Sequence, residues 1–303
     1  KVKTGGQIKN FDPIKHFDLK QVGRTDRFSQ FALLAAKEAI VNAGLENCKE
    51  EWPENAGVIL GSSIGGIETI NYSYKQVFEK GHNRLHPLTI PKIMNNSATS
   101  LISIEYHIQG PSFTVSSACS SANHAMGIAY ETIKSGKSKI LITGGSESFL
   151  SFGGIKPWES LRVLSQSMCR PFSRGRDGLV HGEGAGIFVF ESLSSAKKRK
   201  ADIIAEVVGF AMSSDASDLI KPNNIGPQKA LEGVLKDAMI NKTDVTYINA
   251  HGTGTILNDK MESEAINKVF GNHSRSVKVS STKAMHGHLI CLLYTSPSPR
   301  DNT

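Results

Sequence analysis

The amino-acid sequence predicts a layered α/β fold, and two observations support this prediction. Short apolar segments of strand length alternate along the chain with longer segments whose apolar residues recur with the helical period. Small and polar residues follow the ends of several of these apolar segments, as in loops that leave a sheet. Strands that alternate with helices favour sheets that are covered by helices and largely buried.

The first half of the chain supplies four predicted strands and three predicted helices. Gly44 is a stop signal for the first helix, and Pro91 is a start signal for the second. A long loop region is expected over 145–180. The predicted strands are 56–63, 112–117, 139–145 and 186–192, and the predicted helices are 28–44, 91–107 and 120–135.

The pattern restarts near residue 203, which predicts a second half built like the first. We therefore divide the chain into 1–202 and 203–290. The last residues, 291–303, show neither period and end in Ser/Pro-rich sequence, so we interpret them as a non-native tail and exclude Cys291 from functional reasoning. In the second half the predicted strands are 205–212, 244–255 and 277–285, the last two running into loops, and the predicted helices are 227–240 and 260–270.

Composition excludes several classes of protein. No stretch reaches the ~18 apolar residues of a membrane span. The four cysteines form no CxxC pair, which argues against a disulfide framework or a zinc ribbon and favours a reducing compartment. The basic run at 197–200 lacks interleaved aromatic residues, which argues against nucleic-acid binding. The formal net charge of +7 would attract an acidic partner.

Candidate catalytic residues occupy the ends of predicted strands. Cys119, in TVSSACSSANHAMG, lies where a strand meets a helix, and backbone N–H groups at a helix start stabilise a thiolate or an oxyanion. His251 and His288 each follow another strand, and two imidazoles could donate hydrogen bonds to a carbonyl that develops enolate charge. Lys283 adds a positive charge. Alone, each residue is more often a packed cysteine or a satisfied histidine, but together they favour a nucleophilic site.

Three stretches resemble the active-site blocks of a known family: TVSSACSSANHAMG, NAHGTGTILNDKMESEA and SSTKAMHGH. They are similar to the β-ketoacyl-[acyl-carrier-protein] synthases of the elongating type I/II, in the thiolase superfamily. SRGRDGLVHGEGAGIFVFE and VVGFAMSSDAS extend the resemblance to about residues 5–290. The resemblance implies a thiolase-like five-layer αβαβα fold with two similar halves, of which the second is incomplete in this chain.

The resemblance also implies a mechanism. Cys119 would accept an acyl chain from one carrier protein, and His251 and His288 would bind the thioester carbonyl of malonyl-carrier protein and promote its decarboxylation. The resulting carbanion would attack the acyl group and lengthen it by two carbons. Lys283 matches the lysine of the family's His-Lys network, and Glu262 matches the acidic residue that pairs with this lysine.

Further positions match the family's binding residues. Thr253 and Thr255 match threonines that contact the phosphopantetheine arm, and Ile64 matches an acyl-pocket position that influences chain length. Surface cations match positions that dock the acidic acyl carrier protein, and these are Lys20, Arg24 and Arg84. His124 is expected to pack against neighbouring backbone.

The resemblance implies no cofactor or metal, since the substrates arrive on the phosphopantetheine of the carrier protein. It also implies a homodimer, in the cytoplasm or an organelle. Compared with the family, the chain lacks the first strand and the segment after residue 290, so we expect this chain alone to be inactive and aggregation-prone. Three alternatives stay open: a nodulation-type or polyketide ketosynthase, a non-catalytic partner like the chain-length factors, and a simple acyl-binding protein.

Overall fold

The structure is a computed structural model that describes residues 2–46 and 55–291. The described residues form one four-stranded sheet, in the order β2-β1-β3-β4, and one two-stranded sheet of β5 and β6. Strand β1 runs parallel to β2 and β3, whereas β4 runs antiparallel to β3, and β5 runs parallel to β6. The strands are β1 (Ala56–Gly61), β2 (Ser112–Val115), β3 (Ile140–Glu147), β4 (Gly184–Glu191), β5 (Tyr247–Asn249) and β6 (Lys278–Ser280).

Helices cover both faces of the four-stranded sheet. Short 3-10 turns lie at Pro13–Lys15, Ala118–Ser120, Lys242–Asp244 and Gly271–Arg275, and a π-helical turn, Lys75–Glu79, extends the third helix. The helices are α1 (Leu19–Arg24), α2 (Arg27–Asn42), α3 (Ile67–Tyr74), α4 (Thr89–Ile93), α5 (Ser97–Glu105), α6 (Ser121–Lys134), α7 (Phe152–Ser160), α8 (Leu193–Lys198), α9 (Ile225–Ala238), α10 (Ile256–Phe270) and α11 (Lys283–His286).

Helix α2 covers one face of the large sheet together with α5. The Asp26 side chain accepts a hydrogen bond from the Phe28 N–H at the start of the helix, and the chain leaves the helix through Gly44 at a positive φ of 65°. The buried face of α2 packs with α5, β1 and β3 in the largest core cluster. Since transfer of apolar surface from water drives such packing, this cluster supplies much of the stability of the sheet.

Helix α6 covers the opposite face of the sheet and begins directly after the 3-10 turn that contains Cys119. Its buried face is made of small residues, among them Ala125 and Ala129, so the helix backbone lies close to the strands. Gly61 at the end of β1 touches the backbone of Ala122, and a side chain at position 61 would clash there. The close contact fixes the N-terminal end of α6 against the carboxyl end of β1.

The structure confirms the predicted α/β fold, with helices on both faces of a largely buried sheet. Two predicted element boundaries are wrong. The single helix expected over 91–107 is divided into α4 and α5, because Met94 is extended and the Asn95 side chain donates to the backbone oxygens of Ser62 and Ser63. The region 145–180, expected to be a loop, contains α7. The helix was not predicted because Gly153, Gly154 and Pro157 lie within it, and glycine and proline disfavour helices.

The strand predicted over 205–212 is also wrong, because no strand is assigned there. An apolar alternation forms a strand only where another strand offers its backbone groups, and no ladder partner for this segment occurs among the described residues. The segment instead lies beside α6 and α9: Tyr130 Oη donates to the Val208 oxygen, and the Phe210 N–H donates to Asp237.

Cys291 is the last described residue of the chain. It is buried, and its carbonyl oxygen accepts a hydrogen bond from the Ala122 N–H at 2.9 Å, so it packs at the start of α6. The remainder of the predicted tail, 292–303, lies outside the described residues. Across the described ranges, no helix combines the length and apolarity needed to cross a membrane.

Candidate active site

The backbone around Cys119 forms a tight turn between β2 and α6. Ala118 adopts a left-handed conformation with φ of 50°, which is uncommon for a residue with a side chain. Two hydroxyl groups hold its carbonyl oxygen, one from Ser121 at 2.7 Å and one from Ser63 at 2.8 Å. The strained turn is therefore fixed from both sides, and it presents the partly buried Cys119 thiol at the start of the helix.

His288 contacts the thiol directly. Its Nε2 lies 3.2 Å from Cys119 Sγ, and its Nδ1 accepts a hydrogen bond from the Ile290 N–H at 3.1 Å. Because Nδ1 must offer a lone pair to that N–H, the proton of the neutral imidazole is assigned to Nε2. His288 is thus a hydrogen-bond donor toward Cys119, or toward an oxygen that takes its place.

His251 lies beside His288, although different backbone contacts place the two residues. His251 follows β5 directly, whereas His288 comes after β6 and α11, where its N–H donates to the Val180 oxygen and its own oxygen accepts the Gly182 N–H. The two imidazole rings are nearly perpendicular, with centroids 5.3 Å apart. The ligating atoms of Cys119, His251 and His288 all lie within 4.8 Å of one another.

The site favours neutral imidazoles. Burial, together with the charge of Lys283, lowers the pKa of His251 to about 3. Burial and the neighbouring cationic groups place the pKa of His288 well below its usual range. Burial raises the pKa of the Cys119 thiol, although the charge of Lys283 opposes the rise. The resting sulfur is therefore a thiol, in contrast to the thiolate expected from a helix start alone.

Lys283 is the cation of the site. It begins α11 with 2% of its surface exposed, and burial lowers its pKa to about 8, whereas the charge of Glu262 acts in the opposite direction. Glu262 differs from its predicted role. Among the ion pairs within 4.0 Å in the described part of the chain, it does not pair with Lys283. Its carboxylate oxygens instead accept the N–H groups of His251 at 2.6 Å and Gly252 at 2.7 Å, which orients the loop that bears His251.

The predicted binding residues lie around this centre with different degrees of exposure. Thr253 and Thr255 contact each other through their hydroxyl oxygens, 2.9 Å apart. Ile64 is partly buried in the loop after β1. Lys20 and Arg24 are exposed one turn apart on α1, and Arg84 is exposed in the segment before α4.

A cavity of about 940 Å³ opens between α6 and α9, at the turn that contains Cys119. Cys119, His251 and Glu262 line it, whereas Thr253, Thr255 and Ile64 do not.

His124 is the residue whose surroundings the sequence-based interpretation missed. It does not pack against backbone, since its Nδ1 lies 2.8 Å from Ser117 Oγ and its ring meets Phe210 edge-on, with centroids 6.4 Å apart. It also lines the cavity. The helical period of α6 could have revealed this placement, because Ser120, His124 and Gly127 share the face that begins beside Cys119.

A layered α/β protein with a thiol at a helix start, two neutral histidines and a buried lysine has the features of a thiol-dependent acyltransferase. Comparisons with known proteins identify which kind. The family description "Beta-ketoacyl synthase, N-terminal domain" matches residues 1–196, and "Beta-ketoacyl synthase, C-terminal domain" matches residues 204–292. The chain belongs to the β-ketoacyl synthase family.

Two relatives illustrate the range of the family. The chain is 45% identical over 286 residues to nodulation protein E of Rhizobium sp. (strain N33), covering 94% of this chain and 71% of that protein. It is 40% identical over 296 residues to 3-oxoacyl-[acyl-carrier-protein] synthase 2 of Staphylococcus aureus, covering 95% of this chain and 73% of the relative.

Solved structures share the fold. A β-ketoacyl synthase from Burkholderia phymatum STM815 superposes with a TM-score of 0.88 at 30% identity, over 96% of this chain and 72% of that one. A type II PKS ketosynthase in complex with its acyl-carrier protein gives a TM-score of 0.85 at 29% identity, over 95% of this chain and 71% of that one. The thiolase-like ketosynthase fold predicted from the sequence is confirmed.

Proposed function

We propose that this β-ketoacyl synthase uses Cys119 as its nucleophile and His251 and His288 as paired donors in a decarboxylative condensation. The observation that supports the proposal most strongly is the fixed tautomer of His288, whose Nε2–H points to the position where Cys119 reacts. A neutral imidazole with its proton on Nε2 is suited to stabilise negative charge on a thioester oxygen without first gaining a proton.

The first half-reaction is acyl transfer. The Cys119 sulfur attacks the thioester carbonyl of an acyl-carrier protein, a new C–S bond forms, the old C–S bond breaks, and the carrier leaves as a free thiol after taking the proton from Cys119. The cation of Lys283 lowers the pKa of Cys119 and so increases the fraction of reactive thiolate.

The second half-reaction is condensation. The malonyl group of a second carrier loses CO₂, and the electron pair of the broken C–C bond becomes an enolate whose oxygen accepts from Nε2–H of His288 and from His251. The enolate carbon attacks the acyl group on Cys119, and the Cys119 thiolate leaves. The product is a β-ketoacyl-carrier protein that is two carbons longer, and Glu262 keeps the His251 loop in place during both steps.

Measuring the half-reactions separately tests these roles. Cys119→Ala should abolish covalent acylation, seen by intact-protein mass spectrometry, yet keep release of labelled CO₂ from malonyl-carrier protein. His288→Ala should be acylated but lose about 10²-fold or more in decarboxylation, since loss of one oxyanion donor has effects of this size. Cys169→Ala is the matched control, because Cys169 is a buried thiol that donates to the Thr253 oxygen. Acylation that persists without Cys119 would contradict the proposal.

A second candidate is a specialised condensing role, and the 45% identity to nodulation protein E favours considering it beside fatty acid elongation. The two roles share the same site chemistry and differ in the acyl chains that they use. Mass spectrometry of the products formed from fatty acyl-carrier and from polyketide acyl-carrier substrates separates them. A non-catalytic role like that of a chain-length factor is disfavoured, because the nucleophilic cysteine is present.

We further propose that the partner is an acidic acyl carrier protein, docked by the exposed cations Lys20, Arg24 and Arg84. The net charge of +7 and the carrier-bound state of the related ketosynthase support this proposal. Lys20→Glu with Arg24→Glu should weaken carrier binding several-fold, with a smaller effect at high salt, whereas exposed Lys242→Glu should not. If the Lys20→Glu/Arg24→Glu variant and the Lys242→Glu variant weakened carrier binding equally, Lys20 and Arg24 would not form the docking surface.

The homodimer implied by the family is tested by light scattering on the same samples.

A further inference from the structure

Glu147 is a buried carboxyl group that the condensation mechanism does not use. It ends β3 with 0% of its surface exposed. Its Oε2 accepts the Ser63 N–H at 2.8 Å, and its Oε1 lies 3.4 Å from the Ser62 hydroxyl. The Ile64 N–H and the Cys291 thiol also point to it, whereas the Gly65 N–H donates to Ser62 Oγ at 3.2 Å. The carboxyl group therefore holds the loop 62–65 through hydrogen bonds with Ser62 and Ser63.

The same loop contacts the turn that contains Ala118 and Cys119. While its N–H donates to Glu147, Ser63 donates its hydroxyl to the carbonyl oxygen of Ala118 at 2.8 Å, and the same hydroxyl lies 3.5 Å from Ser121 Oγ. Ala118 is the left-handed residue that directs the chain into Cys119. Two hydrogen bonds thus connect the buried carboxyl group to the residue before the nucleophile.

Burying a carboxyl group is costly unless its oxygens are well satisfied, and burial raises the pKa of Glu147 to about 7. An apolar residue would fill the end of β3 without this cost. It would leave the Ser63 N–H without its acceptor, however, and the Ser63 hydroxyl would lose its fixed position. The geometry favours a role for the carboxyl group in holding this loop rather than in filling space.

We propose that Glu147 is a positioning residue for Cys119, acting through Ser63 on the left-handed Ala118. The carboxyl group fixes the loop, the Ser63 hydroxyl fixes the Ala118 carbonyl, and the turn then holds the sulfur within reach of Nε2–H of His288. This inference rests on the proposed role of Cys119 as the nucleophile. It adds a residue that contacts neither the sulfur nor the histidines.

The test measures the reactivity of the Cys119 thiol, independently of condensation. The readout is the second-order rate of iodoacetamide labelling of the Cys119 peptide, followed by mass spectrometry beside the melting temperature. Glu147→Gln keeps the shape but places an amide group against backbone N–H groups, and Ser63→Ala removes the hydroxyl that reaches Ala118. Each should slow labelling about threefold to tenfold, because the sulfur loses its aligned donor.

Two further variants make the result decisive. Ser63→Thr keeps the hydroxyl and should label at the rate of the unsubstituted protein. The comparison of Ser63→Ala with Ser63→Thr therefore tests the role of the hydroxyl even if Glu147→Gln does not fold. Ser146→Ala is the matched control: Ser146 is the neighbour of Glu147 on β3, it is buried, and it donates to the Phe28 oxygen at 2.7 Å instead of to the turn. It should lower stability without changing the labelling rate.

The double variant Glu147→Gln/Ser63→Ala should label no more slowly than the slower single variant, since both changes interrupt one chain of contacts. Unchanged labelling in Ser63→Ala, or equal slowing in Ser146→Ala, would overturn the inference. If labelling follows Glu147 and Ser63 but no condensation occurs in an unsubstituted protein that spans the whole length of its relatives, the proposed function fails while the positioning role stands.

Discussion

Cys119 and His288 lie 169 positions apart in the chain, yet the imidazole Nε2 is 3.2 Å from the sulfur. Two local features produce this contact. Gly61 lets the start of α6 approach β1, and the N–H of Ile290 fixes the ring of His288 from behind. The result is a thiol that faces a hydrogen-bond donor instead of a base. A thiol in this position becomes reactive by losing its proton to solvent or to the leaving carrier thiolate, and the nearby cation determines how readily it does so.

Lys283→Met should make Cys119 less reactive at neutral pH. The lysine charge lowers the pKa of the thiol, so its removal raises that pKa further, and each unit of the rise reduces the thiolate fraction about tenfold. The pKa of Lys283 itself is about 8, so in the unsubstituted protein the stabilising charge is present below pH 8 and lost above it. The pH profile of iodoacetamide labelling should therefore rise less steeply than a single titration.

The matched control for this measurement is Lys278→Met, which removes an exposed cation from β6, five positions earlier. It should leave the labelling profile unchanged. Faster labelling of the Lys283→Met protein at pH 7 would mean that the lysine does not stabilise the thiolate.

Zn²⁺ should bind to the three reactive side chains and protect Cys119. One thiolate and two imidazoles are a preferred ligand set for zinc, and here the ligating atoms lie within 4.8 Å of one another. Binding requires the proton of His288 to leave Nε2 and the thiol to ionise, and the Lys283 charge opposes the metal. We therefore expect reversible protection at micromolar Zn²⁺, reversed by EDTA and absent with Mg²⁺.

The histidines provide the decisive variants for the zinc measurement. His251→Ala and His288→Ala should each lose protection, whereas His286→Ala, which lies outside the three-residue group, should keep it. Protection of Cys119 that survives both of the first two substitutions would show that zinc binds elsewhere.

The strand-end pattern placed Cys119 and His251 correctly after β2 and β5, whereas His288 lies beyond α11 and is held by backbone hydrogen bonds to Val180 and Gly182. The supporting contacts could not be predicted in this way. The Ile290 N–H and the Glu147 carboxyl group act through backbone hydrogen bonds, and the pattern of apolar and polar residues does not predict these bonds. The strand expected over 205–212 failed for a related reason, because alternation of apolar residues does not reveal whether a second strand is available to pair with it.

His181 should make stability dependent on pH. It is 1% exposed between Trp158 and Phe149, with ring centroids at 4.7 and 5.2 Å, and neither ring nitrogen has a well-formed hydrogen bond within the described residues. Burial outweighs a backbone contact with His288 and lowers its pKa from 6.5 to about 4. The unfolded chain therefore binds the proton more readily, so this contribution to stability is present above pH 6.5 and is lost as the pH falls toward 4.

His181→Met should remove that dependence. Methionine fills a similar volume without polar atoms, so the free energy of unfolding at pH 7 should rise by about 1–3 kcal/mol. Between pH 6.5 and 4 the slope, at most about 1.4 kcal/mol per pH unit, should become smaller. Urea unfolding at several pH values measures both, with exposed His82→Met as the control. An unchanged slope in the His181 variant would assign the pH dependence to other groups.

Arg27→Ala should destabilise the fold far more than Lys134→Ala, although both residues form ion pairs. Arg27 donates to both oxygens of Glu183, at 3.0 and 2.7 Å, and its guanidinium lies 4.8 Å from the centre of the Phe31 ring. The side chain of Glu183 is 1% exposed, so loss of the arginine leaves a buried carboxylate uncompensated, which typically costs about 3–5 kcal/mol. Lys134 pairs with Asp237 at 3.3 Å, but its side chain is 48% exposed and water replaces the contact.

Lys134→Ala should therefore unfold at the same urea concentration as the unsubstituted protein, and Arg27→Ala at a much lower one. Similar midpoints for the two variants would mean that Glu183 finds another partner or takes up a proton when the arginine is removed, and a shift of the Arg27→Ala midpoint with pH would distinguish these two responses.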